Sequence, residues 1–224
     1  ARFLLGLPLA FIYIELLYHL YPITETVYFT TKYWVYILIA GVSQILATVL
    51  MVQLFKQKNY AIGVGLAKSE AILAAMIGVA FLSDHLSFLA WIGVLIGGYA
   101  VFLLSKGSQL SGLSAKTLMI GVGSGFCFAI TSLLVREASL ELTNLPVLHR
   151  ASLVLISVIG FQCISMLIYL SLFSRKTLVA MRERVGLTMK VGFCSFTASL
   201  GWFTAMSMMS VPIVKTLGQI EILF

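Results

Sequence analysis

The chain has 224 residues, of which 60% are hydrophobic and 10% are charged, and its formal net charge is +7 at pH 7. A water-soluble domain needs roughly a quarter of its residues charged, so this composition argues against a soluble globular protein. The positive charge does not indicate nucleic-acid binding, because the basic residues stand in short gaps between apolar runs, as membrane-flanking residues do. The lipid bilayer is therefore the expected partner, and nucleic acid is not.

Seven apolar segments are long enough, or nearly so, to cross a bilayer as helices, which takes about 20 residues each. An eighth segment begins before the sequence ends. In chain order they are 3–20, 34–55, 60–82, 88–105, 117–135, 147–173, 187–209 and the run from 212 onward. The polar stretch 174–186 between two of them predicts a short surface helix. The predicted fold class is an all-α integral membrane bundle with seven full spans and a partial eighth.

A faint internal repeat is present at an offset of 151 residues, which places residues 41–73 on 192–224. The matched positions include Glu70 and Glu221, and an acid inside a membrane span is rare. An odd number of spans per copy inverts the second copy, as in many secondary transporters. We therefore interpret residues 1–105 as a first repeat and 106–224 as a second.

Several stretches resemble helices of the drug/metabolite transporter superfamily, EamA type. The resemblance to the fourth and fifth helices of that family lies in residues 67–73, 83–87 and 93–98, and the resemblance to the eighth and ninth lies in 202–206 and 214–221. Asp84-His85 stands where the family usually has Glu-Arg in the turn between its fourth and fifth helices.

The resemblance implies ten helices in two inverted five-helix repeats around a central cavity. On that interpretation the first repeat here holds helices two to five of the family. The second holds helices six to eight and the start of the ninth. The first helix, the rest of the ninth and the tenth are then expected outside this sequence, and a chain without them is not expected to transport alone.

Charged side chains inside the predicted spans are the candidates for function, because a charge at the bilayer centre costs about 2.5–3.5 kcal/mol. We expect the cavity to be lined by Lys68, Glu70, Trp202, Lys215, Gln219 and Glu221. Lys215 and Gln219 are four residues apart and share a helix face, which suits a carboxylate-bearing solute. Two alternatives stay open: the four charged residues form interhelical ion pairs that hold the bundle together, and Trp202 is a packing residue.

The favoured function is a secondary transporter, and specifically an exporter, of a small polar metabolite such as an amino acid across the cytoplasmic (inner) membrane. A coupled proton and a homodimer are both compatible with the sequence. No enzyme motif, cofactor motif or cluster of metal ligands is present, so no catalytic residue, metal or cofactor is expected. An integral membrane enzyme of lipid or glycan metabolism and a non-transporting scaffold are the alternatives.

If each predicted span crosses the membrane once, successive loops lie on alternate sides, and the basic residues then fall unequally on the two sides. The larger group is Arg2, Lys56, Lys58, Lys106, Lys116, Arg175, Lys176, Arg182, Arg184 and Lys190, against Lys32, Arg136 and Arg150 on the other side. The positive-inside rule places the larger group in the cytoplasm. The family resemblance implies the reverse orientation, and we favour the charge distribution.

Overall fold

The computed structural model describes residues 2–56, 69–82, 86–106 and 115–219, and within these ranges the regular structure is entirely α-helical. The described helices are α1 (Arg2–Leu20), α2 (Thr31–Phe55), α3 (Glu70–Phe81), α4 (Phe88–Lys106), α5 (Ala115–Leu140), α6 (Val147–Phe173), α7 (Arg175–Glu183), α8 (Val185–Met208) and α9 (Val211–Gly218). The predicted all-α class is confirmed for this part of the chain.

Each predicted apolar segment overlaps one of these helices. For the segment 60–82, the described part is α3, and residues 60–68 lie outside the described ranges. Three helices, α2, α5 and α6, are long and apolar enough to cross a membrane by length and composition. Shorter apolar stretches of 10–17 residues occupy Leu5–Leu20, Glu70–Phe81 and Phe88–Tyr99.

Helix α5 ends later than the apolar run predicts. The hydropathy pattern places its end near residue 135, but the helix continues to Leu140. The extra turn is buried on one side, since Ala138 and Ser139 have no exposed surface. The Ser139 hydroxyl donates a hydrogen bond to Oγ of Ser207 over 2.8 Å. Burial and this bond compensate for the polar composition of the last turn.

The chain divides into two compact units. The first unit comprises Ala1–Gly41 and Val135–Met208, and α1, α6 and α8 pack against one another in it. The second unit comprises Val42–Leu134 and Met209–Phe224, and α3, α4 and α9 pack against one another in it. Each unit draws on both proposed sequence repeats. The units are defined by packing and the repeats by sequence similarity, so the division into units does not test the repeats. The repeats stay a prediction.

Helix α2 shows which side chains the fold encloses and which it exposes. Its exposed side carries Trp34, Val35, Leu38, Ile39, Val42, Leu46, Val49 and Val52. Its buried side includes Ser43 and Gln44 beside Ala40 and Ala47. Ile37 and Leu54 are buried as well, so large apolar side chains lie on both sides of the helix, which is the pattern of a helix in a large core or a membrane.

Helix α7 confirms the short helix predicted between 174 and 186. None of its residues is buried. Its start is fixed by a 2.8 Å hydrogen bond between the hydroxyls of Ser174 and Thr177 and by Arg175 Nε, which donates to the Ser171 carbonyl over 2.9 Å. Its end is fixed by the Thr188 hydroxyl, which donates to the Met181 carbonyl over 3.2 Å.

Candidate functional site

The second unit contains an ion pair between two of the predicted cavity residues. Nζ of Lys215, on α9, lies 2.7 Å from Oε1 of Glu70, on α3. The side chains keep only 13% and 14% of their surface exposed, respectively. The pair is therefore largely withdrawn from the surface, and its two members lie within direct contact distance of each other.

Local sequence explains how α3 and α9 reach this distance. On α3, Ala71, Ala74, Ala75 and Gly78 are buried and recur at helical spacing, and such a face of small residues lets helices approach closely. Helix α9 begins after Ser210 with Pro212 in its first turn, where a missing N–H costs nothing. Val211, Pro212 and Val214 are buried, so the start of α9 is anchored one turn before Lys215.

Ser132 is the third member of the site, and no pattern in the sequence indicates it. The Ser132 hydroxyl, on α5, donates a 2.9 Å hydrogen bond to Oε1 of Glu70. Ser132 is 3% exposed, and a hydrogen bond to a carboxylate is stronger than one between neutral groups. The same oxygen of Glu70 thus accepts from a hydroxyl and pairs with an ammonium group.

Gly97 on α4 lies against the last turn of α9. A Cβ atom built on Gly97 would come within 2.5 Å of Oε1 of Gln219 and 3.2 Å of Cγ2 of Thr216. The hydroxyl oxygen of Thr216 is itself buried and has no hydrogen-bond partner among the described residues. The glycine therefore leaves the space that is occupied by Thr216, which follows Lys215 on α9, and by Gln219, which directly follows the helix.

The predicted site residues meet different outcomes. Glu70 and Lys215 are brought together. Gln219 directly follows α9, the helix that carries Lys215, and its side chain lies against α4. Trp202 is partly buried on α8 and belongs to the first unit, so its cavity role stays a prediction. Lys68 and Glu221 lie outside the described residues, and their roles stay predictions as well.

For Glu70 and Lys215 the structure shows the interhelical ion pair that the sequence left open as an alternative to cavity lining. Pairing and substrate binding are compatible, because a carboxylate and an ammonium held together can each accept the opposite charge of a zwitterion. Among the described residues no group of three or more His, Cys, Asp or Glu side chains is placed to hold a metal ion.

The first unit has a second polar cluster, at the C-terminal end of α8, that the sequence did not indicate. Arg136 Nη1 donates to the Met206 carbonyl over 3.0 Å, and Arg150 Nη2 donates to the Ser207 carbonyl over 2.7 Å. The last carbonyls of a helix lack partners within it and carry partial negative charge. Two guanidinium groups therefore cap α8, which accounts for these arginines as structural residues.

Comparisons with models of known protein families and with curated proteins give no match for this chain. The resemblance to the drug/metabolite transporter superfamily accordingly stays a prediction that depends on the residues quoted above.

Proposed function

We propose that this protein is a secondary transporter that exports a small zwitterionic metabolite, such as an amino acid, across the inner membrane of its cell. The observation that carries the proposal is the Glu70–Lys215 pair, which lies within a unit built from apolar helices. The site then acts by binding and release, with no catalytic residue and no cofactor.

The distribution of side chains supports a membrane location. Three helices have the length and composition of spans, and large apolar side chains face outward on α2 while Ser43 and Gln44 face inward. In lipid this arrangement places apolar surface against acyl chains and polar groups against protein. The finer proposal is the multi-pass bundle predicted above, with seven spans and a partial eighth in two inverted repeats.

The energetics of ion pairs support a functional role for the charges. Replacing a buried ion pair by apolar residues of similar volume is often neutral or even stabilising. Stability alone therefore gives little reason to keep Glu70 and Lys215 in such surroundings. A site that must hold a carboxylate and an amine on one solute does give a reason, since each charge then meets a group of opposite sign.

The geometry suggests how the solute enters. When a zwitterion binds, its carboxylate replaces that of Glu70 at Lys215, and its ammonium group replaces that of Lys215 at Glu70. Charge stays balanced throughout, so neither protein charge is left uncompensated. Alternating access around this site completes the transport cycle.

The test is a substrate screen with the protein as its cell makes it, reconstituted into proteoliposomes. The vesicles are loaded with a mixture of amino acids, simple carboxylates, simple amines and neutral sugars, and mass spectrometry measures what leaves. The proposal expects efflux of one or more zwitterions above that of protein-free vesicles. Efflux of only neutral sugars, or of no solute at all, would contradict it.

A further inference from the structure

The surface formed by α7 and the first residues of α8, residues 174–190, does not include the ion-pair residues and is unused by the proposed transport. It carries five basic residues, Arg175, Lys176, Arg182, Arg184 and Lys190, against one acid, Glu183. All five basic side chains are exposed. A surface with this charge ratio attracts polyanions or anionic membranes.

Large apolar side chains lie exposed beside these charges. Val185, Leu187 and Met189, which follow α7, are each at least half exposed, and so is Val179 within it. The opposite side of α7 packs against the rest of the first unit, since Leu178 and Met181 are partly buried. Of the exposed apolar residues only Val179 is on the short helix α7, and the other three open α8. Basic and apolar groups exposed together, here across the junction of two helices, are typical of segments that lie in a membrane interface.

The position of α7 in the chain places this surface at the edge of a bilayer. Helix α6, which ends at Phe173 directly before it, has 27 residues and the composition of a span. At about 1.5 Å per residue it is roughly 40 Å long, against about 30 Å for a hydrocarbon core. If α6 crosses the membrane, its last turn reaches the headgroups. The hydrogen bonds at both ends of α7 then hold α7 at that level.

We infer that residues 174–190 form a binding surface for anionic phospholipid headgroups. The basic side chains contact the headgroup phosphates, and the exposed apolar side chains insert beside the upper acyl chains. The inference goes beyond the proposed transport and requires only that α6 crosses the membrane. It commits to the lipid and not to a soluble acidic partner, because a polyanion in water offers nothing to the apolar half of the surface.

The test compares lipid selectivity in phosphatidylcholine vesicles that contain a minor fraction of phosphatidylglycerol. Spin-labelled versions of both lipids report their relative association with the reconstituted protein. The expected preference for the anionic lipid is roughly fivefold, the equivalent of one fully engaged basic side chain. It should fall to parity at high salt and in the triple variant Lys176→Gln/Arg182→Gln/Arg184→Gln, which leaves the structural contact of Arg175 intact.

Two matched variants control for net charge and for folding. The triple variant Lys32→Gln/Lys56→Gln/Lys116→Gln removes the same charge from other exposed positions and should keep the preference. Arg182→Lys/Arg184→Lys preserves the charge of the surface and should keep it too. Circular dichroism and the thermal midpoint in detergent establish that each variant is folded.

Two outcomes would overturn the inference. One is an anionic preference that persists in the folded triple variant of residues 174–190, which would place lipid binding elsewhere. The other is no preference in the wild-type protein together with salt-sensitive binding of heparin, which would assign the surface to a soluble acidic partner. Neither outcome depends on flux, so the lipid surface and the proposed transport fail separately.

Discussion

Nζ of Lys215 lies 2.7 Å from Oε1 of Glu70, and the two residues come from helices α9 and α3, which are far apart in the sequence and packed together in the second unit. The same carboxylate oxygen accepts a hydrogen bond from Ser132 on α5. One acid thus joins three helices of the unit. Because both members of the pair are largely buried, a change at either position affects stability, so its effect on function has to be measured per folded protein.

Removing one partner of the pair should destabilise the protein more than removing both. Glu70→Gln or Lys215→Met leaves one charge without its counter-charge, at a cost of about 3–5 kcal/mol for a fully buried pair. The 13–14% exposure places the expected cost at the lower end of that range. The double variant should cost less than either single change, and hence less than their sum by about 1 kcal/mol or more. Unfolding in detergent measures all three, and additive effects would show that the two groups do not interact.

Ser132→Ala should weaken the site without breaking the ion pair. It removes a hydrogen bond to a charged group, worth about 1.5–3 kcal/mol. Ser124→Ala is the matched control, because the Ser124 hydroxyl is also buried but donates to the Ala47 carbonyl. We expect Ser132→Ala to lower flux per folded protein and Ser124→Ala to leave it near wild type. Equal flux in the two variants would remove Ser132 from the site.

Gly97→Ala should disturb the site through packing alone. The added methyl group meets Gln219 and Thr216, whereas a Cβ on Gly93, one turn earlier, meets nothing within 4 Å. Oε1 of Gln219 is the end of a flexible side chain and can turn away, so the cost comes mainly from Thr216 and lies at the lower end of the range of about 1–3 kcal/mol for overpacking. We expect a lower thermal midpoint for Gly97→Ala and almost no change for Gly93→Ala. If the two variants behave alike, α4 and α9 are not in close contact at this position.

Arg150→Met should loosen the end of α8. The change removes a 2.7 Å hydrogen bond to the Ser207 carbonyl, and a bond from a charged donor is worth about 1.5–3 kcal/mol. Hydrogen exchange in peptides that contain residues 203–208 should become faster, while exchange in α9 stays the same. Arg184→Met, at an exposed position, is the control. Unchanged protection at the end of α8 would show that Arg150 does not cap it.

The sequence predicted helices well where an apolar run ends abruptly. The segment 147–173 coincides with α6 because Ser174-Arg175-Lys176 follows it directly. It predicted the end of α5 less well, because hydropathy does not show that Ala138 and Ser139 are buried. Burial of a polar turn depends on which helix lies beside it, and that is set by tertiary structure.

The candidate site likewise has features that the sequence predicts and features that only tertiary structure determines. Glu70 and Lys215 were identified because charges are rare within apolar runs, but their pairing was only one of two open alternatives. Ser132 was missed because a serine in an apolar helix usually bonds to its own backbone, as Ser207 does to Phe203. The sequence predicts Arg136 and Arg150 to be membrane-flanking charges, although both donate to carbonyls at the end of α8. The sequence shows which polar and charged groups need a partner, but the identity of each partner depends on tertiary packing.

The most direct test of the account is amino-acid flux per folded protein in Glu70→Gln and Lys215→Met. Glu15→Gln and Lys32→Met are the matched controls, since they make the same chemical changes at exposed positions. Flux is measured in proteoliposomes with the protein as its cell makes it, and folded protein is quantified in each preparation. We expect both site variants to insert and fold but to lose flux, while both controls keep it. Flux that falls only in proportion to the folded protein in the site variants would contradict the account and reduce Glu70 and Lys215 to a structural ion pair.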